Sequence, residues 1–372
     1  LLKKILLNKY RGFMFILQVA FILLLPFALL QVVSKKNIGF STAVLFISCI
    51  ALSYMAGFRL DSPDYNNYAR YFNLLSQGGD YKQINIVAAD PAFAYLNYFF
   101  ANFSNSPLII FSFFSLISVA INLSCYQKYS PYFLFCVLFY MAHTYVAREM
   151  MQIRAGLACA LCLYSIRFIL EKKLRYFIVT ISVALLFHLG AAVFMMAYFI
   201  GNARISRKTI GIVILVSLVI GILFPLGGLF KQLPAISFLE RVQYYNNSKY
   251  GGGAGVLTNL VILKGILLSA FCFYYYQALA ERNKYFEISF KLYAFSLVWY
   301  LLWNDFEIFA ARIATFYSIT EVLLLSFIPL IMKTKENKYL CSVLLCFVAA
   351  SIFSLNYFTG KWEGVLLPFS IT

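Results

Sequence analysis

The sequence predicts an all-α membrane protein, a polytopic helical bundle of about 10–11 membrane segments with one of them re-entrant. Three observations carry this. The chain has 372 residues, of which 62% are hydrophobic and 12% charged, and its mean hydropathy is +0.80. An ordinary globular domain carries about 25% charged residues, so these charges cannot clothe a soluble particle of this size, whereas a lipid-facing surface needs none. Apolar stretches of membrane-crossing length recur along the chain, and Lys and Arg gather in short runs between them. The formal net charge of +17 therefore reads as topology signals and headgroup contacts, and nucleic acid is excluded as a partner in favour of membrane lipid.

A window of about 19 residues places the apolar segments at 12–33, 38–58, 107–126, 131–147, 155–170, 176–200, 209–229, 256–280, 288–303, 313–332 and 339–358. The first is too long for a removed signal peptide and lacks a small-residue cleavage site, so it reads as a span. Two longer polar stretches, 59–106 and 230–255, interrupt the pattern within one integral membrane domain, 1–372. Both read as loops with short amphipathic helices on the face opposite the basic connectors. The connectors 34–37, 126–130, 171–175, 201–208, 281–287 and 333–338 hold 14 of the 31 Lys and Arg, which assigns them to the cytoplasm. Segment 176–200 then joins two cytoplasmic connectors, so it reads as a re-entrant pair of short helices with His188 near the bend. The basic N-terminal tail (Lys3, Lys4, Lys9, Arg11) conflicts with that sidedness, and a shallow amphipathic start or a bend at Pro26 both resolve it.

In the first loop, DSPDYNNYARYF (61–72) predicts a helix with Ser62 as N-cap, Pro63 at its first position and Asp64 in its first turn. Asp64, Tyr65, Tyr68 and Phe72 share a face of that helix, which is expected to lie on the outer membrane surface with its tyrosines at the interface. YGGGAG (250–255) reads as a turn, and Cys159 and Cys162 as packing residues.

Ionisable residues at span ends are costly and are candidates for function. On the outer face they are Arg59, Asp61, Asp64, Arg148, Glu149, Arg154, His188, Arg241, Asp305, Glu307 and Arg312. A guanidinium is a planar, permanently charged fork suited to phosphate oxygens. Each arginine also admits a structural reading, as a snorkelling anchor or as an ion-pair partner: of Asp61 and Asp64 for Arg59, of Asp305 and Glu307 for Arg312. Arg148 and Arg154 stand about 120° apart on a regular helix and share a site only if the helix starts after about Met150. His188 admits a core and a catalytic reading; His143 reads as structural. Tyr244, in QYYNNSKY (243–250), belongs to a stretch suited either to an interface belt or to sugar contacts.

The pattern resembles the Wzy-type polysaccharide polymerases, in particular their EpsG-like branch. The matching pieces are GFRLDSPDYNNYARYF (57–72), DPAFAYLNYFF (90–100), REMMQIRAGLACAL (148–161), ALLFHLGAAVF (184–194), RIATFYSITEVLLLSFIPL (312–330) and LPF (367–369). Their order and spacing are the specific part. Ala155 and Gly190 depart from the family's usual Gln and Ser, so side-chain roles at those positions do not carry over.

The resemblance implies a GT-C-like bundle in the bacterial inner membrane. Such an enzyme joins oligosaccharide repeat units carried on undecaprenyl pyrophosphate at the periplasmic face, for O-antigen, capsule or exopolysaccharide. A chain-length regulator protein is an expected partner. Arg154 and Arg312 are expected to stabilise the leaving pyrophosphate and His188 to handle the attacking hydroxyl. Arg59, Asp64, Tyr65, Tyr68, Arg148, Gln152, Arg241 and Tyr244 are expected to bind substrate. No cofactor and no metal are expected, since Asp61 and Asp64 are explained by a helix cap and an ion pair, and hard cations favour several oxygen ligands. A lipid-linked polysaccharide transporter, an O-antigen ligase and a membrane O-acyltransferase are the alternatives.

Overall fold

The computed structural model describes residues 2–33, 38–59, 62, 64–79, 90–224, 226–227, 255–256 and 258–358. Helix is the regular structure throughout these residues, as an apolar chain in lipid requires, because every backbone N–H and C=O must find its partner within the protein. The described residues divide into two compact units, one of 1–164, 179–191 and 325–372, the other of 165–178 and 192–324.

The first unit opens with α1 (Leu2–Val33), unbroken through Pro26, and α2 (Ile38–Gly57). Two short helices follow, α3 (Tyr65–Ser76) and α4 (Pro91–Ala101), then the long α5 (Leu108–Tyr129). Helix α2 packs along α5 at close range: a methyl group on Gly57 would stand 2.7 Å from the Ser112 Cα, and Ser115 donates a hydrogen bond to the Ser53 carbonyl at 2.9 Å. Small residues at such contacts let backbones approach, which supplies dispersion where no water is available to be expelled.

Helix α3 departs from expectation at both its start and its face. It begins at Tyr65 with Asp64 in the cap position, and the Tyr65 N–H closes a turn onto the Ser62 carbonyl at 2.9 Å. Its aromatic face turns inward rather than along a membrane surface: Tyr68, Tyr71 and Phe72 are buried against Phe93 of α4 and Phe111 and Phe114 of α5. Aromatic rings of this size gain more from a packed apolar neighbour than from the interface.

Next come α6 (Phe133–Phe139) and two π-helical turns, Tyr140–Thr144 and Val146–Met151, which end at a non-helical Gln152. Helix α7 (Ile153–Leu170) begins at once after it, and Cys159 and Cys162 are buried within it. Helix α8 (Leu174–Phe187) stops at His188, and a 3₁₀ stretch, Leu189–Met196, runs into α9 (Ala197–Asn202). The expected interruption of 176–200 therefore falls at the histidine.

The second unit contains α10 (Arg207–Leu223), which starts at an N-cap where the Ser206 side chain accepts from the Thr209 N–H. Helices α11 (Leu260–Tyr274) and α12 (Tyr276–Arg282) are bent by 76° at Tyr275, where one continuous apolar segment was expected. Helix α13 (Phe286–Leu302) packs against α14 (Glu307–Ser318), and α15 (Glu321–Phe327) follows. Inside this unit Glu321 accepts from Lys264 Nζ at 2.6 Å and from the Tyr293 hydroxyl at 3.2 Å, so two charges in apolar surroundings compensate each other. The 3₁₀ turn Ile328–Ile331 and α16 (Lys335–Phe358) return the chain to the first unit, where Asn356 of α16 donates to the Ala142 carbonyl beside His143.

Three described helices are long and apolar enough to cross a membrane, or up to five if each bent pair is one span; shorter apolar helices include Leu17–Val32, Thr42–Gly57, Phe133–Thr144, Leu174–Phe187 and Leu189–Asn202.

Candidate active site

Asp90, Arg154 and His188 meet in the first unit. Asp90 immediately precedes α4, whose first residue, Pro91, lacks an N–H and suits a first helical position. The Asp90 side chain does not cap its own helix. Its Oδ2 instead accepts from Arg154 Nη1 at 2.7 Å and lies 3.6 Å from His188 Nδ1, while Oδ1 accepts from the Leu189 N–H at 3.0 Å. One carboxylate thus ties the start of α4 to the first turn of α7 and to the break after α8.

Burial works against the charge of Asp90, but the neighbouring His188 imidazole, the Arg154 guanidinium and the Leu189 N–H together hold its carboxyl below the usual carboxylate range. The acid is enclosed, with 3% of its side chain exposed, whereas Arg154 keeps 27% and His188 35%. The two groups able to meet a substrate are therefore reachable, and the group that orients them is not. The Arg154 guanidinium also stands 5.4 Å from the Tyr68 ring and 5.3 Å from the Phe93 ring, so aromatic faces support its charge from α3 and α4.

Arg59 forms a second, deeper arrangement. It is 2% exposed, lies 4.4 Å over the Phe111 ring on which Tyr65 also stacks, and donates from Nη1 to the Ala56 carbonyl at 2.6 Å and the Glu149 carbonyl at 3.4 Å. The Glu149 carboxylate is itself buried and accepts from the Tyr140 hydroxyl at 2.8 Å and Asn122 Nδ2 at 3.2 Å. It belongs to the second π-helical turn, an uncommon geometry that recurs at functional sites. Arg148, in the same turn, donates to Gln152. The helix does restart after Met150, as a shared site for Arg148 and Arg154 requires, yet the two arginines take different partners.

Asp64 is half-buried in the first unit. Arg312 is exposed on α14 and belongs to the second unit, where Tyr300 donates to Glu307 at 3.5 Å and Asp305 accepts from the Gly227 N–H at 2.9 Å. Arg241, Tyr244, Asp61 and most of the loop 230–255 lie outside the described residues. Among the described residues no group of three or more His, Cys, Asp and Glu side chains is placed to hold a metal ion.

Two members of the site were given no role by the sequence. Asp90 reads locally as a helix start, and Glu149 as one more acid at a span end. A signal was available for Asp90: in D-P-A-F an acid stands directly before a proline that opens an apolar helix.

A model of the EpsG family matches residues 42–370, nearly the whole chain and every side chain just described. The chain belongs to the EpsG family. Among curated proteins, this EpsG-family chain is 26% identical over 301 residues to the amylovoran biosynthesis protein AmsC of Erwinia amylovora, an alignment covering 76% of this chain and 78% of that protein. No solved structure matches it. The arginine, histidine and aspartate cluster thus lies in a multi-pass membrane protein of the EpsG family.

Proposed function

We propose that this protein polymerises oligosaccharide repeat units carried on undecaprenyl pyrophosphate, working at the periplasmic face of the inner membrane. Membership of the EpsG family and the likeness to a protein of amylovoran biosynthesis support the polysaccharide reading. The observation that carries the chemistry is the shared Asp90 carboxylate, with a cation on one side and an imidazole on the other.

In this reaction a hydroxyl of the incoming repeat unit attacks the anomeric carbon of the growing chain. The new C–O bond forms as the bond to pyrophosphate breaks, and the hydroxyl proton moves to His188. Asp90, facing Nδ1, favours the tautomer that leaves Nε2 as the proton acceptor, the logic by which a buried acid orients a catalytic histidine. The departing pyrophosphate gains charge only as the bond breaks, so fixed guanidinium donors stabilise the transition state more than the ground state. Arg154 takes that role first, then Arg148 and Arg59 of the same unit. Arg154 spends one Nη1 N–H on Asp90, and its partly exposed fork keeps further N–H groups in the same plane for phosphate oxygens.

The test is ladder formation by purified protein in nanodiscs supplied with a lipid-linked repeat unit. Wild type is expected to extend chains, also in excess EDTA, and Arg154→Lys to lose most product at normal folded yield, since Lys keeps the charge without the fork. Normal ladders from Arg154→Lys would reduce this residue to an anchor. A strain lacking the protein should retain single repeat units and lack long chains. Long chains accumulating on the lipid carrier there would favour a ligase, and unflipped units a transporter.

A further inference from the structure

The second unit carries an aromatic surface that the reaction above does not use. Trp299 and Trp303 of α13 lie 5.6 Å apart, Phe309 of α14 closes on them at 5.6 Å and 5.2 Å, and Phe306 stacks on Phe309 at an angle of 14°. Both tryptophans and Phe309 are half-buried, so each retains exposed surface. Asp305 stands in the short turn between the helices and Glu307, exposed, opens α14. The Trp299 indole N–H is enclosed without an acceptor among the described residues.

We propose that Trp299, Trp303 and Phe309, with Glu307 and Asp305 at their rim, form a saccharide-binding subsite. A sugar ring presents C–H groups to an aromatic face and hydroxyls at its edge, so clustered rings bordered by acceptors match it on both counts. Anchoring in a lipid interface calls for separate rings pointing outward with their polar tips at the headgroups. Here the rings contact one another across two helices, and one N–H faces away from water. The carboxylates also repel phosphate, which argues against a lipid headgroup as the occupant. This assignment rests on the polymerase reading and specifies where its sugar is held.

The chain has three tryptophans, and the third, Trp362, lies beyond the described residues. In full-length Trp362→Phe protein in detergent, indole fluorescence reports on this surface alone. The probes are the repeat-unit oligosaccharide released from its lipid by mild acid and, separately, inorganic pyrophosphate. The oligosaccharide is expected to change the emission saturably, with pyrophosphate inert. In the ladder assay Trp303→Leu is expected to raise KM for the lipid-linked unit about tenfold, the size of one lost aromatic contact, with kcat little changed. Trp303→Phe should recover most of the affinity, which separates loss of stacking from loss of fold, and exposed Glu307→Gln should weaken binding without altering yield. An emission change with pyrophosphate alone, no change with either probe, or an unaltered KM in Trp303→Leu would each overturn the subsite while ladders continued to form. Absence of ladders from wild type with the emission change intact would overturn the polymerase reading instead.

Discussion

Asp90 is the residue on which most depends. Its charge is enclosed and shared, so Asp90→Asn, which keeps the shape and removes the charge, should lower chain extension by at least about a hundredfold, within the range ascribed to positioned acid–base groups. Folded yield of the purified variant separates this from a collapse of the fold. Because the carboxyl is held below its ordinary value of 3.8, the stability it contributes is present above that value and is lost as pH falls through the depressed one. The melting-temperature difference between wild type and Asp90→Asn should accordingly stay constant from neutral pH down to about 4 and shrink only below. A difference unchanged well below about pH 4 would mean that the charge of Asp90 contributes nothing to stability. The local sequence marked Asp90 as a helix start but not its partners, since Arg154 and Leu189 lie 64 and 99 positions away in the chain. Arg154 and His188, by contrast, were legible: a charge and an imidazole are conspicuous in apolar sequence because the cost of placing them there demands a reason.

At the scale of helices, hydropathy marked apolar segments well and their interruptions poorly. Segments 107–126, 155–170 and 339–358 correspond to α5, α7 and α16, whereas 256–280 and 313–332 are bent by 76° and 46°. A window of about 19 residues averages across a bend of one or two positions and reports a single stretch. The break at His188 was legible only because the basic connectors on either side demanded an even number of crossings. Close approach between helices leaves a sharper mark. A methyl group at Gly57 would meet the Ser112 backbone at 2.7 Å, so Gly57→Ala must push α2 off α5. It is expected to cost about 1–3 kcal/mol, as overpacking does, read as a lowered melting temperature in detergent. Gly78→Ala meets nothing within 4 Å but sits at φ +84°, so any cost there comes from the backbone alone. Equal losses at the two glycines would argue against close packing as the cause.

For the molecule as a whole, the distribution of Lys and Arg predicts an orientation that a labelling experiment can check. A cysteine label placed in 230–255 is expected to react from the periplasm, and one in 201–208 to be protected. Reaction at 201–208 would make 176–200 a full crossing and reverse everything after it. The site also depends on how the chain is phased. In the turn Val146–Met151 the hydrogen bonds reach one residue further than in an α-helix, so this stretch holds a residue that regular winding would not need. Deleting Ala147 would let the turn tighten to ordinary pitch, so the side chains beyond it, Arg154 among them, keep their register with Asp90. What would shift is the backbone inside the turn, where the Glu149 carbonyl receives Arg59. The loss of one residue is thus expected to spare the pairing of Arg154 with Asp90 and to loosen the deeper arginine, read as a folded protein with a lowered melting temperature.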